Sequence, residues 1–360
     1  MPSRSELSSL VKASARNAGF DLCGIAPLDR ERLPELEHFE KWIEAGYAGE
    51  MEYLKARHES GELKRASVGK TAPWARSVIV CGMNYDSDPP YSTEAKDKSR
   101  GWIARYAWSR EDYHEVVLRK LRQVEAELSA ATHDSSITTR CYVDTGPHVE
   151  RVYAKYAGIG WTGKNTCIIN QELGSWIFLG IILTSLELTP DVPAPDRCGT
   201  CTRCIHACPT QAILEPYKLD ATRCISYLTI EKRGSIPEEL RSGIGNNIFG
   251  CDICQDVCPW NSSRTPHAAF SGAQELQPRP ELVNPALDWL AEMTREDFQK
   301  TFRRSPVKRA KFSGLKRNVA VAMGNSGEKN FVPPLEHMKQ DEDPVVAEHA
   351  RWALKQLQAG

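Results

Sequence analysis

The stretch 198-CGTCTRCIHACPT-210 constrains this chain more than any other. It places four cysteines in thirteen residues, spaced two, two and three apart, with Pro209 behind the last. Eight of the twelve cysteines fall between Cys198 and Cys258. A second group, Cys251, Cys254 and Cys258, repeats the spacing and the trailing proline, and Cys224 stands alone between the groups. The N-terminal MPSRSELSSLVKASARNAGF has no apolar core of signal-peptide length and no twin arginine, so export is not expected. In a reducing compartment so many thiols argue for metal rather than for disulfides.

The run C-x2-C-x2-C-x3-C-P is a spacing that holds [4Fe–4S] cubes. Three thiolates on one tight loop reach three irons of one cube. The fourth starts the next helix and points toward a second cube. Exchanging the fourth ligands assigns Cys198, Cys201, Cys204 and Cys258 to one cluster. Cys208, Cys224, Cys251 and Cys254 then hold the other, and no thiol of the module is left over. A pair of structural zinc sites would also use four thiolates each, but the C-x3-C-P ends and the interlocked count favour clusters. The remaining cysteines, Cys23, Cys81, Cys141 and Cys167, sit singly in apolar contexts and read as small buried hydrophobes.

Two cubes transfer single electrons and do little chemistry alone, so the rest of the chain must hold their acceptor. The 360 residues suffice for two or three domains. Strand patterns at 20–27, 77–85, 138–144 and 175–185 alternate with helical ones at 5–18, 35–57 (broken near Gly46) and 110–130. A further helix is expected to begin near Pro147. That alternation predicts an α+β class with a layered α/β domain over 1–188. The Pro-rich 189-TPDVPAPD-196 opens the cluster module, expected over 189–265, and a helical domain follows over 280–360. There 315-LKRNVAVAMGN-325 and 345-VVAEHARWALK-355 resemble each other at an offset of 30, as paired-helix repeats would. The longest apolar run, 176-WIFLGIIL-183, is too short to span a bilayer, so a cytoplasmic protein with no membrane partner is expected. No G-x-G-x-x-G follows a strand and opens a helix, and no P-loop occurs. On spacing alone a corrinoid, a flavin or a partner protein stays open as the electron acceptor.

Several stretches converge on one family: 53-YLKAR-57, 105-RYAWSREDYH-114, 142-YVDTGPHVER-151, 160-GWTGKNT-166, 227-YLTIEKRG-234, 251-CDICQDVCPWN-261 and 315-LKRNVAVAMGN-325. With the double cluster set they resemble the epoxyqueuosine reductases, cobalamin-dependent iron–sulfur enzymes of tRNA modification. The resemblance runs nearly end to end. It implies a nitroreductase-like or cobalamin-processing-like sandwich domain, a ferredoxin-like 2[4Fe–4S] module and a C-terminal helical domain of HEAT-like repeats. The implied reaction reduces epoxyqueuosine to queuosine at the wobble position of tRNA, using cobalamin and an external low-potential electron donor. The chain is expected to act as a monomer.

The resemblance also implies roles for residues. Asp144 aligns with the family's proton donor, whereas taken alone it reads as a helix N-cap before Pro147. His148 stands where the family usually has an apolar residue and reads as a second polar contact or an exposed side chain. Arg57, Asn165, Ser226, Lys232 and Arg233, with Asp144, are candidate cobalamin contacts, because the corrin's amides and phosphate want donors. The stretch 112-DYHEVV-117 lacks the glycine of a D-x-H-x-x-G motif, so no side chain is expected to ligate cobalt from below.

Residues 303–317, RRSPVKRAKFSGLKR, hold seven basic residues and no acid in a chain of net charge −1. An isolated charge run is usually a solvated helix face. With a tRNA substrate implied, Arg303, Arg304, Lys308, Arg309, Lys311, Lys316 and Arg317 become candidate phosphate contacts. Two other readings fit the layout less well. A corrinoid iron–sulfur reductive dehalogenase would usually carry a twin-arginine export signal and needs no basic helical tail, and a non-catalytic ferredoxin-type carrier with an RNA-binding appendage would bind no corrinoid.

Overall fold

Four strands account for how the N-terminal half is built. The computed structural model describes residues 3–28, 33–88, 90–132, 136–261 and 271–359. The expected end of the cluster module at residue 265 lies outside them. The chain forms two compact units. One comprises Met1–Asp86, Tyr113–Cys201 and Pro259–Ala273; the other comprises Ser87–Asp112, Thr202–Cys258 and Gln274–Gly360.

The first unit is centred on β1 (Leu22–Pro27), β2 (Ser77–Asn84), β3 (Thr139–Tyr142) and β4 (Ile177–Thr184). They run in the order β1-β2-β4-β3, and every neighbouring pair is antiparallel. All eight residues of β2 are buried, so it is covered on both faces. Alternate residues explain how. Ala26, Val78, Val80, Ile181 and Leu183 share a core with Tyr153 and Ala154 of helix α3 (Glu150–Tyr156). The other face lies under α2 (Tyr113–Thr132), whose stripe Val116, Val117, Leu121, Val124 and Leu128 is buried. Gly180 makes that approach possible: a Cβ there would fall 2.7 Å from Val117 Cγ1. Helix α1 (Arg4–Asn17), closed by a Ser3–Glu6 capping box, also packs on α2.

The helix expected over 35–57 breaks at Gly46, whose φ is +77°, into Pro34–Glu44 and a short turn at Glu52–Lys55. The helix expected at Pro147 begins three residues later, at Glu150. Of the solitary cysteines only Cys81 is fully buried; Cys23, Cys141 and Cys167 are half-buried.

In the second unit, short helices at Arg203–Ala207 and Ile253–Asp256 pack together. Helix α4 (Ile225–Ile230) starts at its cap residue Cys224. The C-terminal part is helical, with α5 (Lys311–Ser326) against α6 (Pro344–Ala359). They approach so closely at Gly324 that a Cβ would fall 2.7 Å from Ala353 Cα. Among the described residues no helix is long and apolar enough to cross a membrane.

Candidate active site and cluster ligands

The chain leaves β3 at Tyr142 and enters α3 at Glu150, and the loop between them carries Asp144. Asp144 has φ +56°, a left-handed conformation that Asp tolerates better than most residues. It is not the helix cap that its neighbourhood suggests. Val149 occupies the cap position and supplies no side-chain bond. The Asp144 carboxylate instead accepts a hydrogen bond from the Tyr113 hydroxyl at 3.4 Å and lies 3.8 Å from His114 Nε2. Desolvation pushes its pKa upward. The His114 ring, then Arg151 and Arg65, outweigh that and hold the carboxyl below its ordinary range. Its side chain is 69% exposed, so solvent screens these charges.

The rest of the loop is fastened. The Asp144 backbone N–H donates to Glu150 Oε1 at 2.7 Å. Arg65 Nη1 donates to the His148 carbonyl at 3.1 Å, and Arg151 Nη1 to Thr166 O at 3.1 Å. His148 is fully buried rather than exposed, with its ring edge-on to Tyr142 and Tyr153. The Gly146 backbone folds over that ring. Tyr113, His114, Arg65 and Glu150 were not singled out as site residues by sequence. The available signals were the RYAWSREDYH stretch and the ER pair that ends YVDTGPHVER.

Cluster-ligand chemistry is most explicit around Cys208, Cys224 and Cys251. Burial pushes the Cys251 thiol well up, and the neighbouring Cys224, Asp252 and Cys208 push it further. Cys224 is also raised, first by burial, while the Ser226 and Tyr227 amides favour its thiolate. Thiols gathered this way, free of disulfides, repel one another as thiolates unless a cation joins them. The donor set therefore fits an iron–sulfur cube held by sulfur and braced by amides. Cys198 and Cys201 share a tight turn in the first unit, where Cys201 N–H donates to Cys198 O at 3.1 Å. Lys164 Nζ fastens that turn through Gly199 O at 2.6 Å and Cys201 O at 2.9 Å.

The expected cobalamin contacts fall in both units. Arg57 is exposed beside His58, Lys64 and Lys70, and donates to Gly61 O at 2.7 Å. Asn165 is buried, and its Oδ1 accepts from Cys167 N–H at 3.2 Å. In the second unit Ser226 lies on α4, with Lys232 and Arg233 just beyond its end. Arg233 Nη1 donates to Ile230 O and to Arg309 O.

The basic stretch divides in two. Arg303, Arg304, Lys308, Arg309 and Lys311 are exposed, and Arg309 is paired with Glu231. Lys316 and Arg317 are not available to an RNA backbone. Lys316 is 8% exposed and donates to Ala291 O; Arg317 is 1% exposed. The Arg317 guanidinium donates to Leu228 O at 2.6 Å, Lys232 O at 2.9 Å, Gly234 O at 2.8 Å and Asn318 Oδ1. Both residues hold the fold together instead.

Comparison with known proteins follows this layout. Residues 65–145 match the family model for epoxyqueuosine reductase QueG, DUF1730, and residues 197–261 match that of the 4Fe-4S double cluster binding domain. An epoxyqueuosine reductase of Xanthomonas campestris pv. campestris is 39% identical over 360 residues, covering 99% of this chain and 97% of its own. A crystal structure of epoxyqueuosine reductase with an epoxyqueuosine-modified tRNA-Tyr stem loop matches with TM-score 0.85 and 30% identity, covering 98% of this chain and 90% of that one. A Bacillus subtilis epoxyqueuosine reductase, solved with its catalytic aspartate loop swung out of the active site, matches with TM-score 0.84, 30% identity and the same coverage. An identity of 39% sustained across nearly the whole of both chains places this chain in the epoxyqueuosine reductase family.

Proposed function

We propose that this chain reduces epoxyqueuosine to queuosine at the wobble position of tRNA, and the end-to-end match to epoxyqueuosine reductases carries that reading. The change consumes two electrons and two protons and releases the epoxide oxygen as water. Cobalamin, when bound, would supply the reducing metal at the epoxide, with the two clusters as the route for single electrons. Arg57, Asn165, Ser226, Lys232 and Arg233 are the donors that would meet the amides and phosphate of a corrin edge. An external low-potential donor would feed the clusters.

Asp144 would protonate the departing oxygen. As the loop stands, the His114 ring, then Arg151 and Arg65, hold its carboxyl below the ordinary range. A proton donor needs the opposite bias, which dehydration supplies. Substrate binding that excludes water from Asp144 would raise its pKa, and Tyr113 and His114 would orient it. The swung-out aspartate loop of the Bacillus subtilis relative supports a loop that moves. The exposed Arg303, Arg304, Lys308 and Lys311, with Arg309, would bind RNA phosphates.

The finer architecture belongs to the same reading. It comprises a nitroreductase-like domain over 1–188, a ferredoxin-like module over 189–265 and HEAT-like repeats over 280–360, in a cytoplasmic monomer. One experiment tests the whole. Cluster-loaded protein is given cobalamin, a strong reductant and epoxyqueuosine-containing tRNA, and queuosine is measured. Asp144→Ala should make no queuosine while both clusters persist in its spectrum. Full turnover in that variant would overturn the proton-donor role.

A further inference from the structure

The loop that carries Asp144 contains a buried histidine with nothing to bond. His148 has no solvent exposure, and neither ring nitrogen has a hydrogen-bond partner among the described residues. Unpaired buried polar groups are rare and costly, so each calls for a reason. The ring is fixed on every side. Tyr142 and Tyr153 meet it edge-on at 5.1 Å and 6.3 Å. Gly146 lies so near that a Cβ would fall 2.0 Å from His148 Cε1. Arg65 holds the His148 carbonyl. Glu150 Oε1 lies 3.7 Å from Nε2, just beyond hydrogen-bond reach.

That same Oε1 accepts the Asp144 amide at 2.7 Å. Glu150 stands in the first turn of α3 with a side chain 14% exposed, so its carboxylate is anchored to a rigid element. One oxygen therefore lies between the loop's fixed root, His148, and its functional tip, Asp144. We propose that Glu150, backed by His148, is a latch that sets the position of the Asp144 loop. With the amide bonded, Asp144 is held in its left-handed conformation beside Tyr113 and His114. When the amide leaves, Glu150 Oε1 can take the His148 Nε2–H after a shift of about 0.7 Å, since N–H···O bonds close near 3 Å. His148 thus offers Glu150 a second partner and lowers the cost of opening. Glu150 and His148 are positioning residues, and their effect on turnover rests on Asp144 being the proton donor.

Amide hydrogen exchange, resolved to the Asp144 N–H by mass spectrometry of the cluster-loaded protein, reads the latch directly. Glu150→Ala should speed that exchange about tenfold. It should also lower kcat roughly tenfold, with KM for the tRNA unchanged, because a misplaced group costs rate rather than binding. Glu150→Gln keeps the acceptor oxygen and should restore both. Unchanged exchange in Glu150→Ala overturns the latch, and unchanged exchange in His148→Leu removes His148 from it. If Asp144→Ala still turns over, the proton-donor reading fails, and exchange at the Asp144 amide still decides the latch.

Discussion

Replacing Arg317 with alanine separates a structural arginine from an RNA-binding one. The guanidinium is 1% exposed and satisfies the carbonyls of Leu228, Lys232 and Gly234 together with Asn318 Oδ1. Truncation removes donors from three main-chain oxygens, and each buried acceptor left unmet costs about 1–3 kcal/mol. Water entering the vacated space recovers part of that, so the net loss is about 3–5 kcal/mol. For a cooperative unit of roughly 150–250 residues, each kcal/mol lowers Tm by about 2–4 °C, which gives a drop of about 10 °C. The loss has a chemical consequence. Arg317 pins the end of α4, and its neighbour Asn318 Nδ2 donates to Thr229 O and Ile248 O. Thr229 Oγ1 in turn accepts from the Gly250 amide, next to Cys251. With Cys224 and Cys251 as the cluster ligands expected from their spacing, loosening that brace should speed iron loss from the cluster-loaded protein. Thermal unfolding followed by circular dichroism, and iron release to a chelator, check both parts. Arg317→Lys should fall between parent and alanine, because an ammonium cannot reproduce the planar fork. An alanine variant as stable as the parent but weaker in RNA binding would refute the structural assignment.

Two further outcomes follow from the charges of the second unit. Reversing Arg303, Arg304, Lys308 and Lys311 to glutamate should weaken tRNA stem-loop binding by about 10²-fold at low salt and flatten its salt dependence. Arg309→Glu should do less, since that side chain is already paired with Glu231; unchanged affinity in the fourfold variant at low salt would sink the assignment. His349 is fully buried, with its Nδ1 2.7 Å from Val345 O and its Nε2 accepting from Ile236 N–H. Burial, with Arg241 and Arg317 nearby, depresses its pKa from 6.5 to about 4. The unfolded chain therefore takes up the proton first as pH falls. The stability this group contributes is full above about pH 6.5 and is lost toward pH 4, by about 3 kcal/mol in total and roughly half of that by pH 5.5. Urea unfolding at pH 8 and 5.5 should show that slope in the parent and a flatter one in His349→Gln; equal slopes would remove His349 as its source.

Much of this was legible in the chain because it is written in local periodicity. The four strands and α2 lie within a few residues of where alternation and the Tyr113–Leu128 stripe put them. That residues 197–261 form a double-cluster domain was legible from a count and a spacing of cysteines. What escaped depends on direction. A run such as Leu315-Lys316-Arg317-Asn318 has the same composition whether it faces water or a neighbour. Here α5 is buried from Leu315 to Gly324, and its polar residues turn inward to orphan carbonyls at the end of α4. The surroundings of Asp144 escaped in a related way. Taken alone, Asp-Thr-Gly-Pro reads as a cap before a proline-started helix, but the chain spends Gly146 covering the His148 ring and starts the helix at Glu150.

The cap that Asp144 does not make bears on its chemistry. A capping carboxylate spends its oxygens on amides at a helix N-terminus, and such bonds stabilise the ionised form. It would then be a poor acid at any stage of a reaction. By leaving the cap position to Val149, the chain frees both oxygens of Asp144 from that duty, and Glu150 takes over the bond to the Asp144 amide. The groups that lower its pKa with the loop latched are the side chains of His114, Arg151 and Arg65, and solvent at the 69% exposed Asp144 screens them. Main-chain amides cannot be moved away from a cap, whereas side chains can be re-paired when a substrate arrives. Asp144 is therefore placed so that its affinity for a proton can rise on dehydration, which the proton-donor role proposed for it would require.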